Sequence, residues 1–193
     1  MRCLHCGTAA GHKRSDELTT EEALALADEL CGLGAQEITL SGGEPLLRKD
    51  WPQLARRVQE GGAKAYLITN GYAVDEKTID DFLDVNFTNV GVSFDGTEPT
   101  HNYIRQRDKS FKRAKNAMQM MSDTGKIRFC AITQVSNMNL NEMDDIKQIL
   151  EDVGLELTGL YKLGKERILE CEEMTNVLDC IRNGVRVNGA ARP

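Results

Sequence analysis

Aromatic residues are scarce in this chain: Phe, Tyr and Trp together make up 5% of its 193 residues, and Trp occurs once. A core must therefore be assembled mainly from Leu, Ile, Val, Ala and Met. Basic charge is short as well, with 24 Lys and Arg against 30 Asp and Glu, a net charge of −6. That balance excludes a general affinity for nucleic acid or acidic lipid, because no excess of cations is available to neutralise phosphates. No apolar run approaches the roughly 18 residues that span a bilayer. The opening residues, Met1-Arg2-Cys3-Leu4-His5-Cys6, lack the apolar core of a signal peptide. The expectation is a cytoplasmic protein with no nucleic-acid and no membrane partner. Linkers and low-complexity segments are absent too, and the length suits one domain with a real core and little more.

What is present is a regular alternation of strand and helix patterns. Ala23, Leu26, Ala27, Leu30 and Leu33 recur at helical spacing behind a Thr19–Glu22 capping box, with Gly34 as the stop. The run Glu37-Ile38-Thr39-Leu40 follows, then a helix capped by Asp50 that turns Leu54 and Val58 inward and ends at Gly61-Gly62. A strand from Ala65 to Thr69 precedes a helix from Asp75 to Asp84 burying Ile79, Phe82 and Leu83. A strand from Asn89 to Phe94 leads into the longest connection, Thr97 to Lys109, and then a helix on Phe111, Ala114, Met118 and Met121. Last come a strand from Arg128 to Val135, a helix on Met143, Ile146, Ile149 and Leu150, and a strand from Leu155 to Leu160. The tail from Val185 to Pro193 has little apolar pattern and is expected to be disordered.

A strand about every 30 residues implies right-handed βαβ units and a parallel sheet, whose ligand site forms at the C-terminal strand ends. Those ends read Ser41-Gly42-Gly43, Thr69-Asn70-Gly71, Ser93-Phe94-Asp95-Gly96, Gln134 to Asn137, and Tyr161 to Gly164. Periodicity alone does not separate an open doubly wound sheet from a partial barrel.

Six cysteines stand at positions 3, 6, 31, 130, 171 and 180. Cys31 on a helix and Cys130 in a strand read as small buried hydrophobes. The pair in Cys3-Leu4-His5-Cys6 has four readings: half of a zinc site, a redox pair, an unremarkable surface pair, or part of an iron–sulfur site. Zinc needs two further ligands, and a redox pair normally follows a strand, which is lacking here. A second constellation, Ser41-Gly42-Gly43-Glu44-Pro45, follows a strand directly. Its glycines admit close backbone approach, and Glu44 offers a carboxylate suited to an ammonium group. No Lys-Ser/Thr follows to complete a phosphate loop.

Together, Arg2-Cys3-Leu4-His5-Cys6-Gly7, Leu40-Ser41-Gly42-Gly43-Glu44-Pro45, Thr69-Asn70-Gly71 and Val92-Ser93-Phe94-Asp95-Gly96 resemble the radical S-adenosylmethionine (radical SAM) superfamily. The stretch His101-Asn102-Tyr103-Ile104-Arg105, with Ser110-Phe111, resembles the subgroup that includes peptide maturases with a SPASM extension. The resemblance implies an α/β fold, a partial (β/α)6 TIM-like barrel, over residues 1–165, with 166–193 as a C-terminal tail. It implies a 4Fe-4S cluster and S-adenosylmethionine as cofactors, and reductive cleavage to a 5′-deoxyadenosyl radical that abstracts hydrogen from substrate. Cys3 and Cys6 would be the last two cluster ligands, and His5 would flank the adenine. Gly42, Gly43 and Glu44 would receive the methionine ammonium, Ser93 and Asp95 the ribose or carboxylate, and Arg105 the methionine carboxylate. Asn70 and Asn137 are weaker candidates for lining the cavity; His101 is expected to brace its loop, and His12 to be exposed. Partners would be a peptide or small-molecule substrate and a one-electron donor such as flavodoxin or ferredoxin. The family motif, Cys-x3-Cys-x2-Cys, places its first cysteine four residues before Cys3, and a first strand before that. The chain is therefore expected to be N-terminally truncated, with an exposed sheet edge. Cys171 and Cys180 are too few for a SPASM extension. The competing expectations are a non-catalytic remnant that binds S-adenosylmethionine or a protein partner, and a zinc-binding module. No residue is assigned as a catalytic acid, base or radical relay.

Overall fold

A computed structural model describes residues 1–7, 10–11, 14–155, 160–163 and 186–188. Six parallel strands form one sheet: β1 (Glu37–Leu40), β2 (Lys64–Thr69), β3 (Asn89–Ser93), β4 (Phe129–Val135), β5 (Leu160–Leu163) and β6 (Arg186–Asn188). Their order in the sheet is their order in the chain. A doubly wound sheet reverses direction at a switch point, whereas this one steps the same way each time, as a barrel does. Right-handed crossovers then place every connecting helix on the same face.

The helices are α1 (Thr20–Gly32), α2 (Trp51–Glu60), α3 (Glu76–Val85), α4 (Glu98–Arg105), α5 (Ser110–Thr124) and α6 (Met143–Asp152). α1 begins at the capping box: Glu22 N–H donates to Thr19 Oγ1 at 3.2 Å, and Thr19 N–H donates to the Glu22 carboxylate at 2.8 Å. Asp50 occupies the cap position of α2, but its carboxylate accepts from Thr20 Oγ1 at 2.6 Å and pairs with Arg48, rather than capping the helix.

Strand register sorts the sheet into two faces. Leu67 pairs with Val90, and Val92 with Ala131, and all four side chains are buried against the helices. Val58, Phe82, Ala114, Met118, Met121 and Ile146 complete that core. Each large apolar side chain fully buried there contributes about 1.5–3 kcal/mol. The opposite face carries Ile68, Ser93, Cys130 and Ile132, which are only half-buried. This is the concave side of the barrel.

Several expectations need correction. The long connection after β3 contains α4, whose eight residues hold few apolar positions to announce it. Leu83 is 38% exposed, and Leu26, Leu30 and Leu33 face outward although they share helical spacing. Periodicity marks a face of a helix without showing what covers it. Leu155 closes α6, donating from its N–H to Leu150 O at 3.0 Å, so the fifth strand begins later, at Leu160. That strand takes up Tyr161, Lys162 and Leu163, read as a turn. Three tail residues, Arg186–Asn188, form β6 instead of a disordered end, because they find a ladder on β5. His12, Cys171 and Cys180 lie outside the described residues. No described helix is long and apolar enough to cross a membrane.

Candidate active site at the C-terminal strand ends

β3 delivers Asp95 to the centre of a polar cluster. Its carboxylate is fully buried; Oδ2 lies 2.6 Å from Arg105 Nε and 3.1 Å from His5 Nε2. Oδ1 accepts from the Gln134 N–H at 3.1 Å. Burial alone would raise the Asp95 carboxyl, but the Arg105 charge and the His5 contact outweigh it and hold it down at about 2. The main chain of Asp95 is fixed as well: its N–H donates to His101 Nδ1 at 3.0 Å, and its carbonyl accepts from Asn139 Nδ2 at 2.7 Å. Burial drives His101 down to about 4, so its ring is neutral and Nδ1 is free to accept. Phe94 and Phe111 flank that ring, with centroids 5.3 and 6.1 Å away.

Arg105 ends α4 and is 9% exposed. Its Nη1 reaches within 3.9 Å of Cys3 Sγ. Leu4 N–H donates to Ile104 O at 2.8 Å, which docks the N-terminal turn on α4, and Cys6 N–H donates to Cys3 O at 3.2 Å to close that turn. Cys3, His5, Asp95 and Arg105, spread over a hundred residues of sequence, are thus gathered at one strand end.

A second cluster stands beyond β1 and β2. Glu44 accepts from Thr69 Oγ1 at 2.7 Å, Asn70 N–H at 2.8 Å and Leu46 N–H at 3.3 Å. Burial still wins over these three donors and lifts the Glu44 carboxyl above its ordinary value. A desolvated carboxylate of this kind gains most from an incoming cation. Gly42 has φ +130, which only glycine adopts readily, and a Cβ on Gly43 would lie 3.1 Å from Ala10 Cβ.

Ser93 ends β3 and is half-buried. Asn70 accepts through Oδ1 from Tyr72 N–H at 2.9 Å, while Asn137 is exposed. Two expected ligand contacts are used differently here. Both carboxylate oxygens of Asp95 are taken by protein groups, and His5 leans on Asp95. Cys31 and Cys130 are half-buried rather than fully so; the Cys31 thiol lies 3.7 Å from Val58 O, and burial pushes the Cys130 thiol up. Sequence reasoning passed over Thr133, Asn139 and Glu142, and gave Thr69 no role of its own within the Thr69-Asn70-Gly71 turn. Asn139 carries a usable signal, an Asn at the cap position of a helical turn just after a strand, although its side chain bonds Asp95 O, Gln134 O and Ser136 N–H instead of capping that turn. Thr133 Oγ1 donates to Phe94 O at 2.5 Å, and Glu142 accepts from Thr97 N–H at 2.8 Å. These tie β4 and the helical turn after it to the β3 loop without any local pattern.

Among the described residues, no three His, Cys, Asp or Glu side chains are grouped to hold a metal ion. Cys3 and Cys6 are two thiols on one closed turn. They fit two positions of a cluster held by thiolates, and the Gly42–Glu44 cradle fits an ammonium-bearing ligand.

The chain belongs to the Radical SAM superfamily, whose family model matches residues 1–153. Members are enzymes built on TIM-like barrels that use a 4Fe-4S cluster and S-adenosylmethionine. The chain is 30% identical over 195 residues to "Fe-coproporphyrin III synthase" of Methanosarcina barkeri (strain Fusaro / DSM 804), covering 96% of this chain and 49% of that protein. It is 28% identical over 152 residues to "PqqA peptide cyclase" of Ruegeria pomeroyi (strain ATCC 700808 / DSM 15171 / DSS-3), covering 78% and 40%. Among solved structures, SuiB of Streptococcus suis bound to S-adenosylmethionine superposes with a TM-score of 0.76 at 11% identity, covering 100% of this chain and 47% of that one. The chain therefore spans about half the length, or less, of the curated relatives it matches.

Proposed function

We propose that these residues form the S-adenosylmethionine-cleaving site of a radical enzyme acting on a peptide. The observation that carries it is the convergence of His5 and Arg105 on buried Asp95 beside Cys3, on the sheet edge that also presents Glu44. When bound, the cluster would supply one electron to the sulfonium of S-adenosylmethionine, giving methionine and a 5′-deoxyadenosyl radical that takes a hydrogen atom from substrate. Cys3 and Cys6 would hold the cluster through their thiolates. Glu44, with Gly42 and Gly43 leaving the backbone open, receives the ammonium group of methionine. Arg105 keeps N–H groups for the methionine carboxylate, a pairing suited to its planar fork. Asp95 acts through others: it fixes Arg105 and His5, and His5 so fixed flanks the adenine. Ser93 offers its hydroxyl at the end of β3. Residues 1–165 act as the core that carries this chemistry. Kinship to a peptide cyclase supports the peptide substrate.

The test is titration with S-adenosylmethionine by calorimetry, followed by detection of 5′-deoxyadenosine after anaerobic reconstitution with iron, sulfide and reductant. Glu44→Gln should weaken binding about 10- to 100-fold, the worth of a hydrogen bond to a charged group. Equal affinity in Glu44→Gln and the unaltered chain would overturn the assignment. Tight binding with no 5′-deoxyadenosine would overturn the cleavage reading and leave a site that only binds S-adenosylmethionine.

A further inference from the structure

Outside the strand-end site, the two-helix connection after β3 builds a cavity that the proposed function leaves unused. It has a volume of about 730 Å³ and is lined by Tyr72, Asn102, Tyr103, Arg107, Asp108 and Lys109, among others. Arg107 and Arg113 both lie over the ring of Tyr72, their guanidinium carbons 4.9 and 5.6 Å from its centroid. One cation on an aromatic face is a common surface feature, but here two exposed guanidinium groups share one ring. Among the described residues, no carboxylate lies within ion-pair distance of Arg107, Lys109 or Arg113, although the chain as a whole carries a net charge of −6.

The presenting loop is built, not loose. Gln106 and Lys109 take left-handed backbone, at φ +52 and +64, which non-glycine residues adopt rarely. Arg107 N–H donates to Asn102 O at 3.2 Å, Ser110 N–H donates to Arg107 O at 3.3 Å, and Asn102 Oδ1 accepts from Ser110 Oγ at 2.8 Å and Phe111 N–H at 2.9 Å. Two lining residues stand close in sequence to the strand-end site: Tyr72 is two residues after Asn70, whose N–H donates to Glu44, and Asn102 follows His101, which accepts from Asp95.

We infer that this cavity is a carboxylate-binding site that takes an acidic segment of the peptide substrate, its carboxylates bridging Arg107 and Arg113 beside the Tyr72 ring. The link to substrate rests on the radical-enzyme reading; the anion site itself does not. A long polyanion such as nucleic acid would meet the acidic remainder of the surface, whereas a short acidic segment meets Arg107, Lys109 and Arg113 against the single carboxylate of Asp108. The cavity is wide enough for a few side chains, and its mixed Tyr and Arg lining suits peptide contacts.

The test is calorimetric titration of the 193-residue chain with acetyl-tetraglutamate amide, acetyl-tetraglutamine amide and inorganic phosphate. The tetraglutamate peptide should bind, weaken as salt rises past about 0.1 M, and outcompete phosphate, while the tetraglutamine peptide should not bind. Arg107→Gln with Arg113→Gln should raise the dissociation constant at least tenfold, and Tyr72→Leu should raise it as well. Lys126→Gln, beyond the far end of α5, should leave it unchanged. Equal binding of both peptides, salt-independent binding, or full retention in the double variant would overturn the inference, and preferential binding of phosphate would overturn the carboxylate assignment. The salt and peptide comparisons on the unaltered chain decide the matter even where a variant does not fold. Titration of the same samples with S-adenosylmethionine separates the two readings. Peptide binding without S-adenosylmethionine binding breaks only the proposed function; the reverse breaks only this inference.

Discussion

Asp95 is a buried charge whose desolvation, several kcal/mol by itself, is tolerated because Arg105, His5 and the Gln134 N–H surround it. His101 completes the arrangement from behind, and its own titration gives the site a pH limit. Its ordinary value is 6.5 and burial lowers it to about 4, with Asp95 opposing and Arg105 and His5 assisting. The unfolded chain therefore binds a proton that the folded chain refuses between these values, so stability rises with pH across that window. Its contribution is present in full above about 6.5 and is lost as pH falls towards 4, amounting to about 3 kcal/mol. Asp95, held at about 2 against an ordinary 3.8, adds a loss only below 3.8. Urea unfolding at pH 7 and pH 4.5 should show the first loss. His101→Asn, which keeps an acceptor for the Asp95 N–H, should be less stable at pH 7 but lose much less on acidification. An identical loss in both proteins would remove His101 as the cause.

At the scale of elements, each strand end is a short device that turns the chain and aims one polar group. Gly71 shows how little freedom such a device has. Its φ is +71, and a Cβ there would lie 3.0 Å from Ala114 Cα on α5 and 3.3 Å from Val92. Backbone cannot yield as a flexible side chain does. Gly71→Ala should cost about 1–2 kcal/mol for the left-handed conformation, plus the displacement of α5. Because Asn70 N–H donates to Glu44, the same change should weaken S-adenosylmethionine binding. Denaturant midpoints and calorimetry would check both effects, and loss of stability with unaltered affinity would uncouple the turn from Glu44. The units that could be read from sequence are those whose information is local. The Thr19–Glu22 box marks α1, the run Ala65–Thr69 closed by Asn70-Gly71 marks β2, and Glu44 and Asp95 stand just after β-rich runs. α4 escaped because eight residues with Pro99 near their start give no periodic stripe. Asn139 and Glu142 escaped because they act through main-chain groups of a loop more than 40 residues away.

Across the whole molecule, burial is uneven, and stability should be uneven with it. Leu67, Val90, Val92, Ala114, Met118 and Met121 are fully buried, whereas α1 buries Ala27 alone and leaves Leu26, Leu30 and Leu33 exposed. β1 has one neighbour, β2, at the described edge of the sheet, while β2, β3 and β4 each have two. Opening α1 and β1 therefore exposes little apolar surface and breaks one ladder, and opening β3 dismantles the core. The acid-sensitive cluster spans this gradient, since Asp95 hangs from β3 while Cys3 and His5 hang from the turn docked on α4. Hydrogen exchange read by mass spectrometry should find amides of α1 and β1 exchanging at least about tenfold faster than those of β2 to β4, a difference of only about 1.4 kcal/mol in opening free energy. If Glu44 receives the ammonium group as proposed, S-adenosylmethionine should slow exchange in β1 and barely alter β4. Uniform protection across all four strands would mean that the molecule opens as one unit, and that the thin packing of α1 does not mark a separate step.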